Sequence, residues 1–431
     1  MGADAQVAIV GAGFAGLAAA RELAERGVSV VLIEATDRIG GRARTVRHVD
    51  SELPVELGPE FIHGCPDVTR TLAREAELAI EPIHERHYMH EGDRLVEVND
   101  LWEKLAAMLE GAPDASHDES ARAFLERAKL PPRDARLFAM LVEGFYASPI
   151  DDIGIAGVAS DAGGAGGASG DEPAQTRLSG GYGSLASWMR ARLSTANTVV
   201  RHGCVVLAIE WQGSQVQLAC SEYGRDTVVV ADRAIVTLPL GVLQAGAVRF
   251  TPALGDHAMA LSRLAMGQVV KIVLCLREPV WHELGPHDLA FAHDTDTAFP
   301  SFWMRTRDHA TTLTAWAGGP HARALASYSA DALAERAIDE FALTVSLPRG
   351  RVAAAVQHYH FHDYGKDPFA RGAYSYTRVG GMGVAAQLSR PLGDRLVLAG
   401  EATDEEYEGS VAGALASGQR AAKQVLAMIG R

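Results

Sequence analysis

The chain has 431 residues, 48% of them hydrophobic, and a formal net charge of −14. A chain of this length exceeds the size at which one hydrophobic core stops growing, so two domains are expected. The acidic balance argues against nucleic acid as a partner, because phosphate binding requires a basic face. The sequence shows neither a signal-peptide pattern nor a run of about 18 apolar residues, which predicts a soluble, cytoplasmic protein without a membrane partner.

The first predicted elements are a strand and a helix joined by a glycine-rich turn. Residues 7–10 form a short apolar run, and residues 17–25 have helical apolar spacing. In the turn between them, Gly11 permits a tight bend and Gly13 lets the backbone approach a pyrophosphate. Gly16 lets the helix pack on the sheet. The arrangement predicts a dinucleotide site at the helix N-terminus.

A second predicted strand, residues 28–33, ends at Glu34. This position is close to the ~20-residue spacing of an acid that accepts both ribose hydroxyls. Its negative charge would repel a 2′-phosphate, so the site is predicted to take FAD or NAD, not NADP. Arg42 follows the pair Gly40 and Gly41 and is a donor on a loop that can reach an anion, although a surface role is the alternative.

Further along the chain, residues 67–150 have helical periodicity and predict a helical insertion, with helices at 68–78, 101–109, 121–130 and 134–146. Residues 159–170 contain almost no bulky apolar groups and predict a flexible loop. Four cysteines without CxxC spacing are predicted to be buried thiols: Cys65, Cys204, Cys220 and Cys275.

The second half alternates strands and helices. Short strands with turns predict antiparallel structure beside the first domain, at 198–200, 204–209, 215–219 and 227–230, and 234–238 is another predicted buried strand. A sheet-based second domain is predicted from strands at 269–276, 311–317 and 352–359 and a helix at 330–343. A strand at 395–398 and a helix at 413–429 return to the nucleotide-binding domain.

The predicted fold class is α/β, with a discontinuous Rossmann-like FAD-binding domain and a sheet-and-helix (α+β) substrate domain. The first is assigned residues 1–66, 178–238 and 385–431. The second is assigned residues 67–177 and 239–384 and includes the helical insertion.

Several ordered motifs extend over most of the chain: GAGFAG (11–16) with Glu34, RIGGRART (38–45), ELGPEFIHG (56–64), GGY (180–182), LPLGVL (238–243), Lys271 before EPVW (278–281), GAYS (372–375), and AGEAT (399–403) followed by 409–418. Together they resemble the flavin-containing amine oxidase family, which includes monoamine oxidases, polyamine oxidases and lysine-specific histone demethylases.

The resemblance implies an extended FAD whose adenosine end lies at residues 11–34, with its diphosphate near Arg42 and its ribityl and diphosphate region near Glu401. The implied cofactor-binding set also includes Gly41, Gly58, Val205 and Val411. Ala373 stands where monoamine oxidases carry the cysteine that bonds to the flavin, which implies noncovalent FAD.

Lys271 is the first predicted catalytic residue. A lysine among apolar neighbours in a buried strand is costly without a partner, and the alternative is a one-sided strand that points it to solvent. In the family the matching lysine holds a water against the flavin N5 and assists oxidation of the substrate or reoxidation by oxygen.

Tyr374 and His63 complete the predicted catalytic set. Tyr374 matches one wall of the aromatic cage that holds the amine over the flavin. The opposite wall falls on Ser410, where monoamine oxidases carry tyrosine and polyamine oxidases tolerate small polar residues. His63 matches a polar position that faces the active site in several polyamine oxidases, and an ordinary satisfied histidine is the alternative. Glu60, beside it, is expected to act mainly through its backbone.

No metal is predicted, because His358, His360 and His362 alternate along one strand without the second ligand set of a zinc site. The expected function is FAD-dependent oxidation of polyamines or related primary and secondary amines, with O2 as acceptor and H2O2 as product. The expected partners are a small-molecule amine and O2, and the expected assembly is a monomer or homodimer.

Three rival functions stay open. An L-amino-acid oxidase of the same superfamily would need an arginine to clamp the substrate carboxylate, and the candidates are Arg305, Arg307, Arg371 and Arg378. The rival from another class is a non-catalytic flavin-binding scaffold. The presence of Lys271 and Tyr374 argues against it. A flavin-dependent desaturase or isomerase would have no reason to keep the amine cage.

Overall fold

The computed structural model describes residues 3–48, 50–83, 86–98, 100–165, 175–284 and 289–430. In the described residues the helices are α1 Phe14–Glu25, α2 Asp67–Glu75, α3 Leu101–Met108, α4 Ala121–Ala128, α5 Pro132–Tyr146, α6 Ile155–Ala165, α7 Tyr182–Ala191, α8 Leu240–Gln244, α9 Asp256–Ser262, α10 Gly319–Leu325, α11 Ala330–Thr344, α12 Arg349–Ala355, α13 Val384–Leu388 and α14 Val411–Met428. Short 3₁₀ turns lie at Ala115–His117, Val280–Leu284 and Glu401–Thr403.

The strands of the same residues are β1 Ala5–Val10, β2 Val30–Ile33, β3 Thr45–Arg47, β4 Pro54–Glu56, β5 Ile62–His63, β6 Ile80–Pro82, β7 His87–Glu91, β8 Arg94–Glu97, β9 Gln175–Leu178, β10 Thr198–Arg201, β11 Cys204–Glu210, β12 Val216–Glu222, β13 Arg225–Val236, β14 Arg249–Thr251, β15 Leu264–Met266, β16 Val269–Leu276, β17 Phe291–His293, β18 Ser301–Arg307, β19 Ala310–Gly318, β20 Val356–Phe361, β21 Ser375–Thr377 and β22 Leu396–Leu398.

The first large sheet has the order β10-β2-β1-β13-β12-β11-β14, with β22 also paired to β13. The pairs β10–β2, β2–β1, β1–β13 and β13–β22 are parallel, and β13, β12 and β11 are antiparallel. Strand β2 is buried along its whole length and β1 at all but one residue, as expected for strands covered on both faces. Helices α1 and α14 pack together beside this sheet, and the mixed architecture confirms the predicted α/β class.

The second sheet has the order β20-β16-β19-β18-β17-β7-β8. Its hydrophobic core includes side chains of α11 and α12. On β16, β19, β18 and β17, the register places Lys271, Trp316, Ser301 and His293 side by side. Residues paired across strands share a face, so this row lies on one face of the sheet.

Some sequence predictions were wrong. Residues 159–165 belong to helix α6, whose Ile155 and Val158 supply a buried apolar stripe; residues 166–170 of the predicted loop lie outside the described residues. The predicted helical insertion is interrupted by β6, β7 and β8, and β7 and β8 form a hairpin with a turn at Gly92.

Three smaller differences concern the second half and one cysteine. The predicted strand at 352–359 begins as helix α12 and becomes strand β20 only at Val356. Strand β14, within the predicted substrate domain, pairs with β11 of the first sheet. Cys65 is exposed, whereas the other three cysteines are buried as predicted. Among the described residues, no helix is both long and apolar enough to cross a bilayer.

Candidate active site

A cavity of about 700 Å³ is lined by residues of both large sheets. This volume lies within the range of small-molecule and cofactor sites. Of the residues predicted for the site, those that line the cavity are Gly11, Gly13, Glu34, Gly41, Arg42, Gly58, His63, Val205, Lys271, Tyr374, Glu401 and Val411. Gly16 is not in the lining and lies one turn into α1. The structure therefore gathers almost the whole predicted set around one space.

The three glycines of the first turn have different surroundings. Gly11 has φ +102°, which suits glycine, and a Cβ there would lie 2.7 Å from Oγ1 of Thr237. A Cβ on Gly13 would find only the Cα of Gly41, at 3.9 Å, so open space lies over this backbone. A Cβ on Gly16 would lie 1.9 Å from the carbonyl oxygen of Gly11. The turn thus packs tightly against the sheet while its cavity side stays open.

Glu34 is buried at the end of β2 and is held by neutral donors. Its Oε2 accepts from the backbone N–H of Ala12 at 2.9 Å. Its Oε1 accepts from the N–H and hydroxyl of Thr36 at 2.9 and 2.7 Å. A carboxylate offers about four lone-pair positions, so it can still accept a hydrogen from a hydroxyl in the cavity.

Arg42 and Glu401 form an ion pair at the cavity wall. Nη1 of Arg42 donates to Oε1 of Glu401 at 2.7 Å and to the carbonyl of Ala373 at 2.9 Å. Oε2 of Glu401 accepts from the hydroxyl of Ser375 at 2.5 Å. Because Arg42 compensates this carboxylate, Glu401 can line a diphosphate site without strong repulsion.

The Lys271 side chain lies on the face of the second sheet that lines the cavity, so the alternative in which it points to solvent is wrong. Its side chain is 3% exposed. Nζ donates to the carbonyl of Gly58 and to Oε2 of Glu60, both at 3.1 Å. It also lies 5.3 Å from the ring centroid of Trp303.

Glu60, for which a mainly backbone role is expected from the sequence, also makes side-chain hydrogen bonds. Its Oε1 accepts from Arg177 at 3.0 Å, and its Oε2 accepts from Nε1 of Trp303 at 3.0 Å in addition to Lys271. Burial alone would raise the pKa of this carboxyl, but the positive charges of Lys271 and Arg177 and the Trp303 hydrogen bond lower it to about 2. Glu60 is therefore a carboxylate at any working pH.

Tyr374 and Ser410 are held by local hydrogen bonds. The hydroxyl of Tyr374 donates to the carbonyl of Phe145 at 2.7 Å, and burial raises its pKa. Ser410 is the N-cap of α14: its hydroxyl accepts from the N–H of Gly413 at 3.0 Å and donates to the carbonyl of Tyr407 at 2.7 Å. The Tyr374 ring therefore has no aromatic counterpart at position 410.

His63 lies among aromatic rings, with centroid distances of 5.3 Å to Phe145 and 6.1 Å to Phe61. Burial lowers its pKa to about 4, so the imidazole is neutral near pH 7. It offers the cavity a neutral polar edge.

Glu408 is a cavity residue that sequence reasoning missed. Its Oε2 accepts from the hydroxyl of Thr377 at 2.8 Å. Burial, with a further contribution from the negative charges of Glu401 and Asp161, raises its pKa to about 7. Nothing in the sequence distinguishes it from its acidic neighbours at 404–406; its packing against β21 does.

The remaining candidates are the arginines proposed as a carboxylate clamp and the possible metal ligands. Of the four arginines proposed as a carboxylate clamp, Arg371 lines the cavity. Arg305 and Arg307 pair with Glu81, and Arg378 pairs with Asp152. The described residues contain no group of three or more His, Cys, Asp or Glu side chains placed to hold a metal ion. His362 lies between Arg44 and Asp367.

The fold and the site define a class of protein: a Rossmann-like α/β chain with a dinucleotide turn, whose cavity continues to a buried lysine on a second sheet. The family model described as "Flavin containing amine oxidoreductase" matches residues 14–426. The chain belongs to this family and is an oxidoreductase that uses a flavin cofactor. The resemblance identified from the sequence motifs is confirmed.

Relatives and solved structures agree with this assignment. Polyamine oxidase 3 from Oryza sativa subsp. japonica is 26% identical, over 96% of this chain and 88% of that protein. Lysine-specific histone demethylase 2 from Homo sapiens is 25% identical over 98% of this chain, which spans 53% of that longer protein. Cyclohexylamine oxidase from Brevibacterium oxydans IH-35A has the same fold, with a TM-score of 0.84, 21% identity and coverage of 99% and 100% of the two chains. Wild-type putrescine oxidase bound to putrescine has a TM-score of 0.81 at 22% identity, with coverage of 98% and 99%.

Proposed function

We propose that this protein is an FAD-dependent amine oxidase whose substrates are polyamines or related primary and secondary amines, and that its FAD is bound noncovalently. The observation that carries the proposal is the single cavity that joins the Glu34 turn to Lys271 and Tyr374. When bound, FAD accepts a hydride from the carbon next to the amine nitrogen, leaving an imine that water hydrolyses, and passes the electrons to O2 to give H2O2.

The residues at the nucleotide turn fit FAD. Glu34 can accept from the ribose hydroxyls, and the open backbone at Gly13 with the N-terminal amides of α1 can receive the diphosphate. Arg42 supplies a positive charge that Glu401 orients. Val205 and Val411 line the same cavity and would pack against the cofactor. Ala373 carries no group that could bond to the flavin, which supports noncovalent binding.

Three other residues that line the cavity suit an amine. The Tyr374 ring offers a face that attracts a cationic or partly cationic nitrogen. Lys271 has three N–H donors, of which two are engaged, so it can also hold a water in the cavity. His63 stays neutral and adds no positive charge against the substrate. The amine must be deprotonated before it yields a hydride, so activity should rise on the alkaline side of neutrality.

Two observations support a polyamine-like substrate over an α-amino acid. Glu408 lines the cavity and could pair with an ammonium group, whereas a substrate carboxylate would be repelled by it. The rice relative is a polyamine oxidase. An L-amino-acid oxidase would need an arginine that binds the substrate carboxylate. Of the four arginines proposed for this role, Arg371 is the one that lines the cavity.

The test is anaerobic mixing of the purified yellow protein with putrescine, spermidine, spermine, aromatic monoamines and L-amino acids, each in turn. Bleaching of the flavin absorbance reports reduction, and H2O2 is measured after air is admitted. Rapid bleaching by a polyamine supports the proposal. Bleaching by amino acids alone would move the assignment to the rival oxidase, and bound flavin that no amine reduces would refute amine oxidation.

A further inference from the structure

Glu60 is an ionised carboxylate to which donors from three strands converge. Lys271 comes from β16, Trp303 from β18 and Arg177 from β9. Oε2 accepts from Lys271 and Trp303, and Oε1 accepts from Arg177, at distances of 3.0–3.1 Å. With both oxygens engaged, the carboxylate has one fixed orientation.

We propose that Glu60 is a positioning residue that holds the Lys271 side chain in one orientation at the cavity wall. This inference rests on the proposed function, in which Lys271 lies beside the flavin. Glu60 and the carbonyl of Gly58 fix two of the three hydrogens on Nζ. Among the described residues the third hydrogen has no acceptor, so it is available to a water or a ligand in the cavity.

The physical reason is the cost of a buried charge. The Lys271 side chain is 3% exposed, and a charged group buried to this extent is costly unless a counter-charge compensates it. Arg177 lies against the other oxygen and over the ring of Phe61, at 5.5 Å, so Glu60 cannot rotate away from Lys271. A fixed ammonium stabilises negative charge that develops next to it, as when two electrons and two protons pass to O2 to form H2O2.

The test separates oxygen reduction from amine oxidation. The flavin is reduced anaerobically with titrated dithionite, without any amine, and is then mixed with O2 while its absorbance is followed. Glu60→Gln and Lys271→Met should each slow reoxidation by about ten- to one-hundredfold. The double variant should be no slower than Lys271→Met alone, because the two residues act as a unit. Glu60→Asp should restore part of the rate.

A matched control is Glu340→Gln in α11. Glu340 is also a buried carboxylate, but it accepts from the N–H groups of Ala298 and Phe299 and does not line the cavity. This variant should reoxidise at the wild-type rate. Because the assay needs no amine, a failure of the proposed substrate class and a failure of this inference give different results.

Stability of the FAD-free protein gives the second measurement. Glu60→Gln leaves two buried cations unpaired, so its urea midpoint should be lower than that of the double variant with Lys271→Met. The inference is overturned if folded Glu60→Gln reoxidises at the wild-type rate, or if the two single effects multiply in the double variant. A Glu60→Asp variant that folds but recovers none of the reoxidation rate would also overturn it.

Discussion

Gly16 of helix α1 packs directly against the nucleotide turn, and Gly16→Ala tests whether that packing controls cofactor binding. The added Cβ would lie 1.9 Å from the carbonyl oxygen of Gly11, about 1.5 Å short of the 3.4 Å at which ordinary contact begins. Helix α1 cannot simply withdraw, because α14 lies on it: a Cβ on Gly418 would lie 2.2 Å from the carbonyl oxygen of Ala15. The methyl group must therefore distort the turn or force α1 and α14 to move together.

Overpacking of this kind costs about 1–3 kcal/mol of unfolding free energy. Displacing the first amides of α1 should also weaken at least one charge-assisted hydrogen bond to the diphosphate, worth about 1.5–3 kcal/mol. The dissociation constant of FAD should then rise by about ten- to one-hundredfold.

Urea unfolding of the FAD-free protein and titration with FAD, followed by flavin fluorescence, measure the two effects separately. Gly350→Ala in α12 is the matched control, because nothing lies within 4 Å of its Cβ position. It should stabilise the protein by up to about 1 kcal/mol and leave FAD affinity unchanged. If Gly16→Ala behaves like Gly350→Ala in both assays, the packing argument is wrong.

Three further predictions concern the cavity. Acid precipitation should release the yellow FAD into the supernatant, because Ala373 offers no nucleophile; colour that stays with the pellet would contradict noncovalent binding. Burial raises the pKa of Glu408 from 4.5 to about 7, so the FAD-free protein should lose stability as pH rises through this interval. In urea unfolding between pH 5 and 8, the free energy of unfolding of Glu408→Gln should therefore increase relative to that of the wild type as pH rises, by up to about 3 kcal/mol. A difference between the two proteins that does not change with pH would contradict the raised pKa of this carboxyl. Tyr374→Phe should lower stability by about 1–3 kcal/mol because the carbonyl of Phe145 loses its donor, yet amine affinity should stay within about threefold because the ring face remains. Stopped-flow reduction by the best amine checks the last point.

The parts of the fold that the sequence predicted are those with local causes. Strand β1, the glycine turn and α1 follow one another within about twenty residues, and each shows its own periodicity or conformational requirement. Strands β7 and β8 were missed because their apolar pattern is weak and because β7, which pairs with β8, joins the sheet through β17, some two hundred residues later. Local propensity carries no information about such a partner.

The same limit explains which site residues the sequence could assign. Five glutamates line the cavity, and the chemical roles of four of them differ only through neighbours that are distant in the chain. Glu34 is held by neutral donors and keeps a position for a hydroxyl, whereas Glu401 is compensated by Arg42. Glu60 is fixed by Lys271 and Arg177. Among the described residues, Glu408 accepts hydrogen bonds only from hydroxyl groups. Burial therefore raises its pKa to about 7. A cationic amine would bring the positive charge that this carboxylate lacks. The tertiary contacts of Glu408, which nothing in the sequence singles out, therefore supply the argument for an amine substrate.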